Sequence, residues 1–543
     1  MTSNRKIARL IYLLLFTIIL WEGLLIFHDI NKNDIFHDEK WHVQVIESLK
    51  HGEGFKKWNF LSGESEKRYR RGLFLNSSTY LTTKTFGQNN FTLRLIPAIF
   101  GVLLIPVIFF SLRKIIGNIP ALLTSIGFAF SPPAVFLARF LRPYTTFLAF
   151  YLLSFYFSYL FLVLIKNDRN KKALAMCLSL LLVSVTGAIQ ANQTSKILLL
   201  LIPVSWIFSM IINKNILKNT IKKRNALLTL GFLFFASVII LEITGITNIS
   251  ITGKQFLNHL SYENIKNPEK TYYQYLFSKY TKFPFLMYLS FSVGTFFLLW
   301  RSFLKKDFGA FHLLLFTFVP LFFVIYLLNR YEDFRYCYFL IPFIYSIAML
   351  GLYSIVENIT KALSKKRNKA IPAFISIFLA LLFVFYPLLP IKEIQGLTKE
   401  SPSVWSDDYG KTELHRRAIA PEYSKIYQHI NKNQKDGDFV ITDSGEYYLQ
   451  TNPRVTYFLL RRKSKELTNE KTKKSIDFFE LMSKKQGESY LVTTYAHLLD
   501  RDLLDYLMEN CENISKDLGV KKYNYVGWYE NKNLFWPNLF YCK

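Results

Sequence analysis

Along most of this chain the apolar residues do not alternate with polar ones. They gather in runs of roughly twenty, separated by short charged segments. A lipid core about 30 Å thick is crossed by roughly 20 helical residues, so each run predicts a membrane span. Eleven are predicted, at 8–27, 91–112, 119–137, 145–165, 173–190, 196–212, 226–247, 284–300, 308–328, 337–356 and 370–390. Only the short polar break Gln190–Lys196 divides the fifth from the sixth. The first run lacks a small-residue cleavage site and reads as a retained anchor.

The polar stretches between runs give the orientation. Segments 5–9, 113–114, 166–172, 214–224, 301–306 and 361–369 carry 22 Lys and Arg, whereas the short loops on the other side hold Arg139, Arg142, Lys196, Arg330 and Arg335. Short cytoplasmic loops accumulate basic residues, which puts the N-terminus inside and everything after Pro390 outside. The expected location is the plasma (cytoplasmic) membrane. Composition agrees: 51% of the residues are hydrophobic and 17% aromatic. The net charge of +28 would suggest nucleic acid, but the basic residues sit between apolar runs, so it reads as topology and no nucleic-acid partner is expected.

Three outer segments are long: 28–90, 248–283 and the tail from 391. The tail alternates strand-like runs (Phe439–Thr442, Val455–Leu460, Tyr490–Thr493, Tyr523–Trp528) with helix-like ones (Lys474–Lys485, Leu498–Asn510), which predicts a small α/β domain. The fold class is therefore a polytopic α-helical membrane protein of about 11 transmembrane helices. It has a transmembrane domain over 1–390 and a small C-terminal extracytoplasmic α/β domain over 391–543. Of the four Cys, Cys177 and Cys337 lie in apolar runs, and a disulfide between Cys511 and Cys542 is open.

Candidate chemistry begins just beyond the first span, at Ile35-Phe36-His37-Asp38-Glu39-Lys40-Trp41-His42. Trp41, Val45, Ile46 and Leu49 then recur at helical spacing with Gly52 as a stop, predicting an amphipathic helix on the membrane surface with Asp38 near its N-cap. A carboxylate fixed at that level suits a base that deprotonates an attacking hydroxyl. Equally, Asp38 and Glu39 could simply cap and charge a helix N-terminus. His28, His37, His42 and His51 cluster beside the acids, yet His37 and His42 are about 140° apart on a helix, so the two-His zinc-protease spacing is absent. No metal site is assigned; a divalent cation is left open as a cofactor.

Two further outer loops concentrate guanidinium groups, which pair with phosphate through parallel donors. Ala138-Arg139-Phe140-Leu141-Arg142-Pro143-Tyr144 is one and Asn329-Arg330-Tyr331-Glu332-Asp333-Phe334-Arg335-Tyr336 the other. In the first loop the alternative is snorkelling toward lipid headgroups; in the second the charges could pair among themselves. Glu22 and Glu242 sit near the outer ends of their spans, where a carboxylate either acts or reaches the interface.

Taken together these segments form a pattern: His37-Asp38-Glu39, then Tyr69-Arg70-Arg71-Gly72, then Phe86-Gly87-Gln88-Asn89-Asn90-Phe91-Thr92-Leu93-Arg94-Leu95-Ile96-Pro97-Ala98-Ile99-Phe100-Gly101, then Ser131-Pro132-Pro133 through Arg139 to Tyr144. It resembles the protein O-mannosyltransferase and lipid A aminoarabinose transferase superfamily in its prokaryotic branch, well over 10–165 and more loosely over Arg335–Gly351. That likeness implies a C-type glycosyltransferase fold, a dolichyl- or undecaprenyl-phosphate monosaccharide donor and inversion at the sugar carbon. It implies Asp38 as the base, Glu39 as its orienting neighbour and Arg139 near the carrier phosphate. From the loops themselves, Arg142, Arg330 and Arg335 are further candidate phosphate ligands, and His37, His42, Arg71 and Tyr144 are candidate accessory residues. Where the eukaryotic enzymes carry a second acid, this chain has Pro143 and Tyr144, and the tail has no counterpart in the sugar-binding domain of those enzymes.

The leading expectation is thus transfer of one sugar, hexosyl or mannosyl-like, to a hydroxyl on protein, glycan or lipid. The alternative is a transporter or flippase of a lipid-linked saccharide, which would place charges and broken helices at mid-membrane.

Overall fold

The structure is a computed structural model that describes residues 2–31, 35, 37–60, 64–69, 71–222, 277, 284–327, 337–363, 370–380, 423–435, 437–442, 455–458, 487–493, 501–520 and 538–542. It divides into two compact units, one of 1–28, 70–85 and 94–398, the other of 29–69, 86–93 and 399–543.

Among the described residues eight helices are long and apolar enough to cross a membrane. They fall where the runs do: α1 (Thr2–Phe27), α4 (Asn90–Ile116), α7 (Tyr144–Lys166), α8 (Lys171–Ala191), α9 (Leu198–Ile212, extended at its start by a 3-10 turn), α11 (Pro284–Phe303), α12 (Phe308–Leu327) and α13 (Ile341–Leu363, likewise extended). In a lipid core a helix satisfies its own backbone, so long apolar runs have no other soluble outcome for their N–H and C=O groups. The predicted run 226–247 lies outside the described residues. Of 370–390 the described part is α14 (Ala370–Leu379) with residue 380.

The third run departs from expectation. Residues 119–137 form not one continuous helix but α5 (Asn118–Ala129) and α6 (Pro132–Ala138), broken at Phe130-Ser131. Proline lacks an N–H and disfavours helical geometry in the residue before it, so Ser131 is extended and Pro132 and Pro133 start a new helix. The hydroxyl of Ser131 turns back to the Phe128 carbonyl at 2.8 Å. By contrast, the break between the fifth and sixth runs falls where it is predicted, with Asn192 capping the turn through its side chain to the Thr194 N–H at 3.1 Å.

Polar side chains at helix ends define the short loops. Asn170 accepts from the Ala173 N–H at 2.9 Å to start α8. The amide of Asn219, in α10 (Lys214–Lys222), donates to the last carbonyls of α7, Ile165 at 3.0 Å and Lys166 at 3.1 Å. Arg301 pairs with Asp307 across the α11–α12 turn, and Asp307 in turn accepts from the Gly309 N–H at 2.9 Å. Of these eight helices α13 is the most buried, and it packs on both α5 and α11. At its crossing with α11 the backbones touch, because Gly294 and Gly351 present no Cβ.

The tail builds a five-stranded sheet ordered β4-β3-β5-β7-β6, from β3 (Phe439–Thr442), β4 (Val455–Phe458), β5 (Ser489–Thr493), β6 (Glu512–Asn513) and β7 (Asn538–Cys542). Strand β3 is parallel to β4 and β5, while β7 is antiparallel to β5 and β6. Successive strand residues face opposite layers. Val440, Tyr490, Val492 and Leu539 pack on α15 (Tyr423–Asn433), and Ile441, Leu491 and Phe540 on α16 (Arg501–Asn510). Three predicted strands and the helix ending at Asn510 are therefore present. Strands β6 and β7 and helix α15 were not anticipated, and the predicted elements 474–485 and 523–528 lie outside the described residues.

Cys511, just after α16, is bridged to Cys542 in β7 with the Cα atoms 4.4 Å apart. The bridge closes a separation of 31 residues, for which the loss of chain entropy in the unfolded state corresponds to about 3–4 kcal/mol. Cys511→Ser together with Cys542→Ser is expected to lower tail stability by about that amount, read as increased proteolysis of 423–542. Unchanged proteolysis would remove the bridge from its stabilising role.

Candidate active site

The segment after the first span folds as α2 (His37–Lys50), a hairpin of β1 (Lys56–Asn59) and β2 (Glu64–Arg68), and α3 (Leu73–Phe86). Asp38 falls in the first turn of α2, and Gly52, at φ 75°, ends it in the left-handed conformation that a side chain resists. The helix is as predicted, and of its predicted stripe Val45 and Ile46 are buried, but the buried side also takes in polar positions. Glu39, His42, Val43 and Ile46, at helical spacing, are fully buried, while Trp41 and Leu49 are only half-buried. An acid adjoining Asp38 therefore occupies a core position, which spacing of apolar residues could not reveal.

The hairpin was missed by sequence reasoning, since Lys56–Asn59 and Glu64–Arg68 have none of the alternation that marks strands. It holds α2 through rings. The Lys57 ammonium lies 4.6 Å over the Trp41 ring and 5.7 Å over Tyr69, His42 meets Tyr69 edge-on at 5.4 Å, and His51 stacks on Trp58 at 4.0 Å. At the hairpin's start Glu53 bonds Lys56 and Ser65, and these contacts hold its carboxyl below the usual carboxylate range. Two of the four clustered histidines are thus engaged by aromatic rings. Among the described residues no group of three or more His, Cys, Asp or Glu converges as a metal site.

The motif 86–101 proves to be a helix start. Asn89 accepts from the Thr92 N–H at 2.9 Å, and the Thr92 hydroxyl accepts from the Asn89 N–H at 3.0 Å, a reciprocal cap for α4. At its other end, Gly101 lets α4 approach α6: a Cβ there would stand 2.5 Å from that of Ala138.

Arg139 is 7% exposed and its Nη1 donates to three carbonyls at the end of α1: Leu25 at 3.0 Å, Ile26 at 2.9 Å and His28 at 2.6 Å. Arg142 is 9% exposed, its guanidinium 5.8 Å from the Tyr144 ring. Arg71 is exposed, its carbonyl accepting from Asn76 at 3.1 Å, and the next residue, Gly72, donates to the Gln190 carbonyl. Arg330, Arg335 and Glu242 lie outside the described residues, and of His37 and Asp38 only the helical placement is described.

Of the two alternatives open for Glu22, burial speaks against the one in which its carboxylate reaches the interface. Glu22 is fully buried in α1, and among the described residues neither carboxylate oxygen has a hydrogen-bond partner. An unsatisfied buried polar group costs about 1–3 kcal/mol. Glu22→Met is therefore expected to raise the thermal midpoint in detergent, and a fall in midpoint would show that the carboxyl is partnered.

The arrangement is that of a polytopic helical membrane protein with the C-type glycosyltransferase fold. ArnT from Cupriavidus metallidurans in the apo state matches at TM-score 0.53 and 11% identity, covering 98% of this chain and 97% of that one. ArnT bound to undecaprenyl phosphate matches at 0.52 and 12%, covering 97% of both chains. The Archaeoglobus fulgidus oligosaccharyltransferase, tethered with an acceptor peptide, matches at 0.50 and 13%, covering 80% of this chain and 62% of its own. Residues 75–241 match the family described as dolichyl-phosphate-mannose-protein mannosyltransferase, in accord with the likeness drawn from the motifs. No curated protein matches the chain by sequence.

Proposed function

We propose that this protein is an inverting glycosyltransferase that moves one sugar, hexosyl or mannosyl-like, from a polyprenyl-phosphate carrier to a hydroxyl on protein, glycan or lipid. The observation that carries the reading is the Asp38-Glu39 pair in the first turn of α2, immediately after the first span, in a chain of this fold. The match over 75–241 supports a polyprenyl-linked donor.

Asp38 takes the proton of the acceptor hydroxyl as its oxygen attacks the anomeric carbon from the face opposite the carrier. The bond between that carbon and the phosphate oxygen breaks, and polyprenyl phosphate leaves with the electron pair. Glu39, buried beside Asp38 in sequence, orients it, and Arg142, Arg330 and Arg335 absorb the developing phosphate charge. His37, His42, Arg71 and Tyr144 shape the surroundings. The reaction belongs on the extracytoplasmic face of the plasma membrane. The Cys511–Cys542 bridge supports a tail outside the cytosol, since disulfides persist in oxidising compartments.

The test is transfer by the purified protein in detergent, offered synthetic polyprenyl-phosphate sugars with hydroxyl acceptors. Glycosylated acceptor and free polyprenyl phosphate are expected in equal amounts. Turnover of nucleotide sugars in place of lipid-linked ones would overturn the reading.

A further inference from the structure

The last turn of any helix leaves carbonyls with no partner in the helix, and a cation there also meets the negative end of the helix dipole. In α1 these carbonyls belong to the turn from which the chain runs on toward Asp38, ten residues past His28. A guanidinium more than a hundred positions away in sequence reaches them, with Arg139 Nη1 within 3.0 Å of the Leu25, Ile26 and His28 oxygens. Arg139 is itself the C-cap of α6, the short helix created by the Ser131-Pro132-Pro133 break. Gly101 provides the space, since a side chain at that position would collide with Ala138 and stand 3.0 Å from Ile26 Cδ1.

We propose that Arg139 is a positioning residue: it clamps the end of α1 to the end of α6 and so sets where the chain leaves the first span on its way to the base. The Ser-Pro-Pro break serves this purpose by ending α6 with Arg139 against the final carbonyls of α1. This inference deepens the glycosyltransferase reading and rests on it for its kinetic consequence, though not for the clamp itself.

Two measurements test it on the full-length protein in detergent. Amide exchange of residues 24–31 is expected to quicken at least tenfold in Arg139→Ala, with Arg139→Lys, whose ammonium can still donate to carbonyls, close to wild type. Unchanged protection in Arg139→Ala would overturn the clamp, whatever the enzyme's activity. In the transfer assay, Arg139→Ala is expected to lower kcat at least tenfold while KM for the polyprenyl-phosphate sugar stays within twofold. A KM raised tenfold with kcat retained would make Arg139 a phosphate ligand and overturn the positioning role. Should Arg139→Ala fail to fold, Arg139→Gln carries the same two readouts. Absence of any transfer by the wild type would sink the proposed function while leaving the exchange result to decide the clamp.

Discussion

Asp38→Asn is expected to reduce transfer by a factor of about 100 to 10,000, the range over which a positioned general base contributes. The substitution replaces one oxygen by an amide nitrogen of nearly equal size. Asparagine is accepted at the start of a helix, so α2 should keep its place and the thermal midpoint should stay within a degree or two. The loss should fall on kcat, because an acceptor hydroxyl is held as well by an amide as by a carboxylate, whereas only the carboxylate can take its proton as the bond to the sugar forms. Glu39→Gln separates the two acids. Its carboxyl is buried in α2, so its replacement should disturb stability along with rate. Equal turnover by wild type and Asp38→Asn, at matched thermal midpoints, would remove Asp38 from the mechanism.

Gly351→Val is expected to destabilise the helical unit by roughly 3 kcal/mol or more, at or beyond the usual cost of overpacking. A Cβ at Gly351 would overlap the Ser290 carbonyl and stand 2.7 Å from the Gly294 nitrogen, and one at Gly294 would overlap the Ile347 carbonyl. These obstacles are backbone atoms, so no rotamer change relieves them and α11 and α13 must separate. Most of α13 is buried, and the displacement would open its packing on α5 as well. Gly309→Ala serves as the comparison. There the new Cβ would meet the edge of the Tyr159 ring at 3.0 Å and the Asp307 side chain at 3.2 Å, both able to shift. The thermal midpoint should therefore fall much further for Gly351→Val, and similar midpoints for the two variants would show that the α11–α13 crossing tolerates a side chain.

Much of the architecture was legible because its signals are local. A run of apolar residues reports its own length, and among the described residues eight helices long and apolar enough to span lie where the runs lie. The break at Asn192 could be read for the same reason, since a capping side chain sits beside the backbone it caps. The break at Ser131 was equally local, written in two adjacent prolines, but the apolar run across it concealed the signal. In the tail, β3 coincides with the predicted strand, whereas β7 shows itself only through its antiparallel pairing with β5.

The candidate site divides in the same way. The sequence alone determined that an acidic pair stands at the head of an amphipathic helix just past the first crossing, because helical periodicity and the end of an apolar run depend on neighbouring residues. Only the tertiary structure decided that Glu39 and His42 join the buried stripe of that helix, that Glu22 has no hydrogen-bond partner among the described residues, and that Arg139 answers the carbonyls of α1. Burial and side-chain partnership depend on what a distant part of the chain brings alongside, and no spacing within a single segment carries that information.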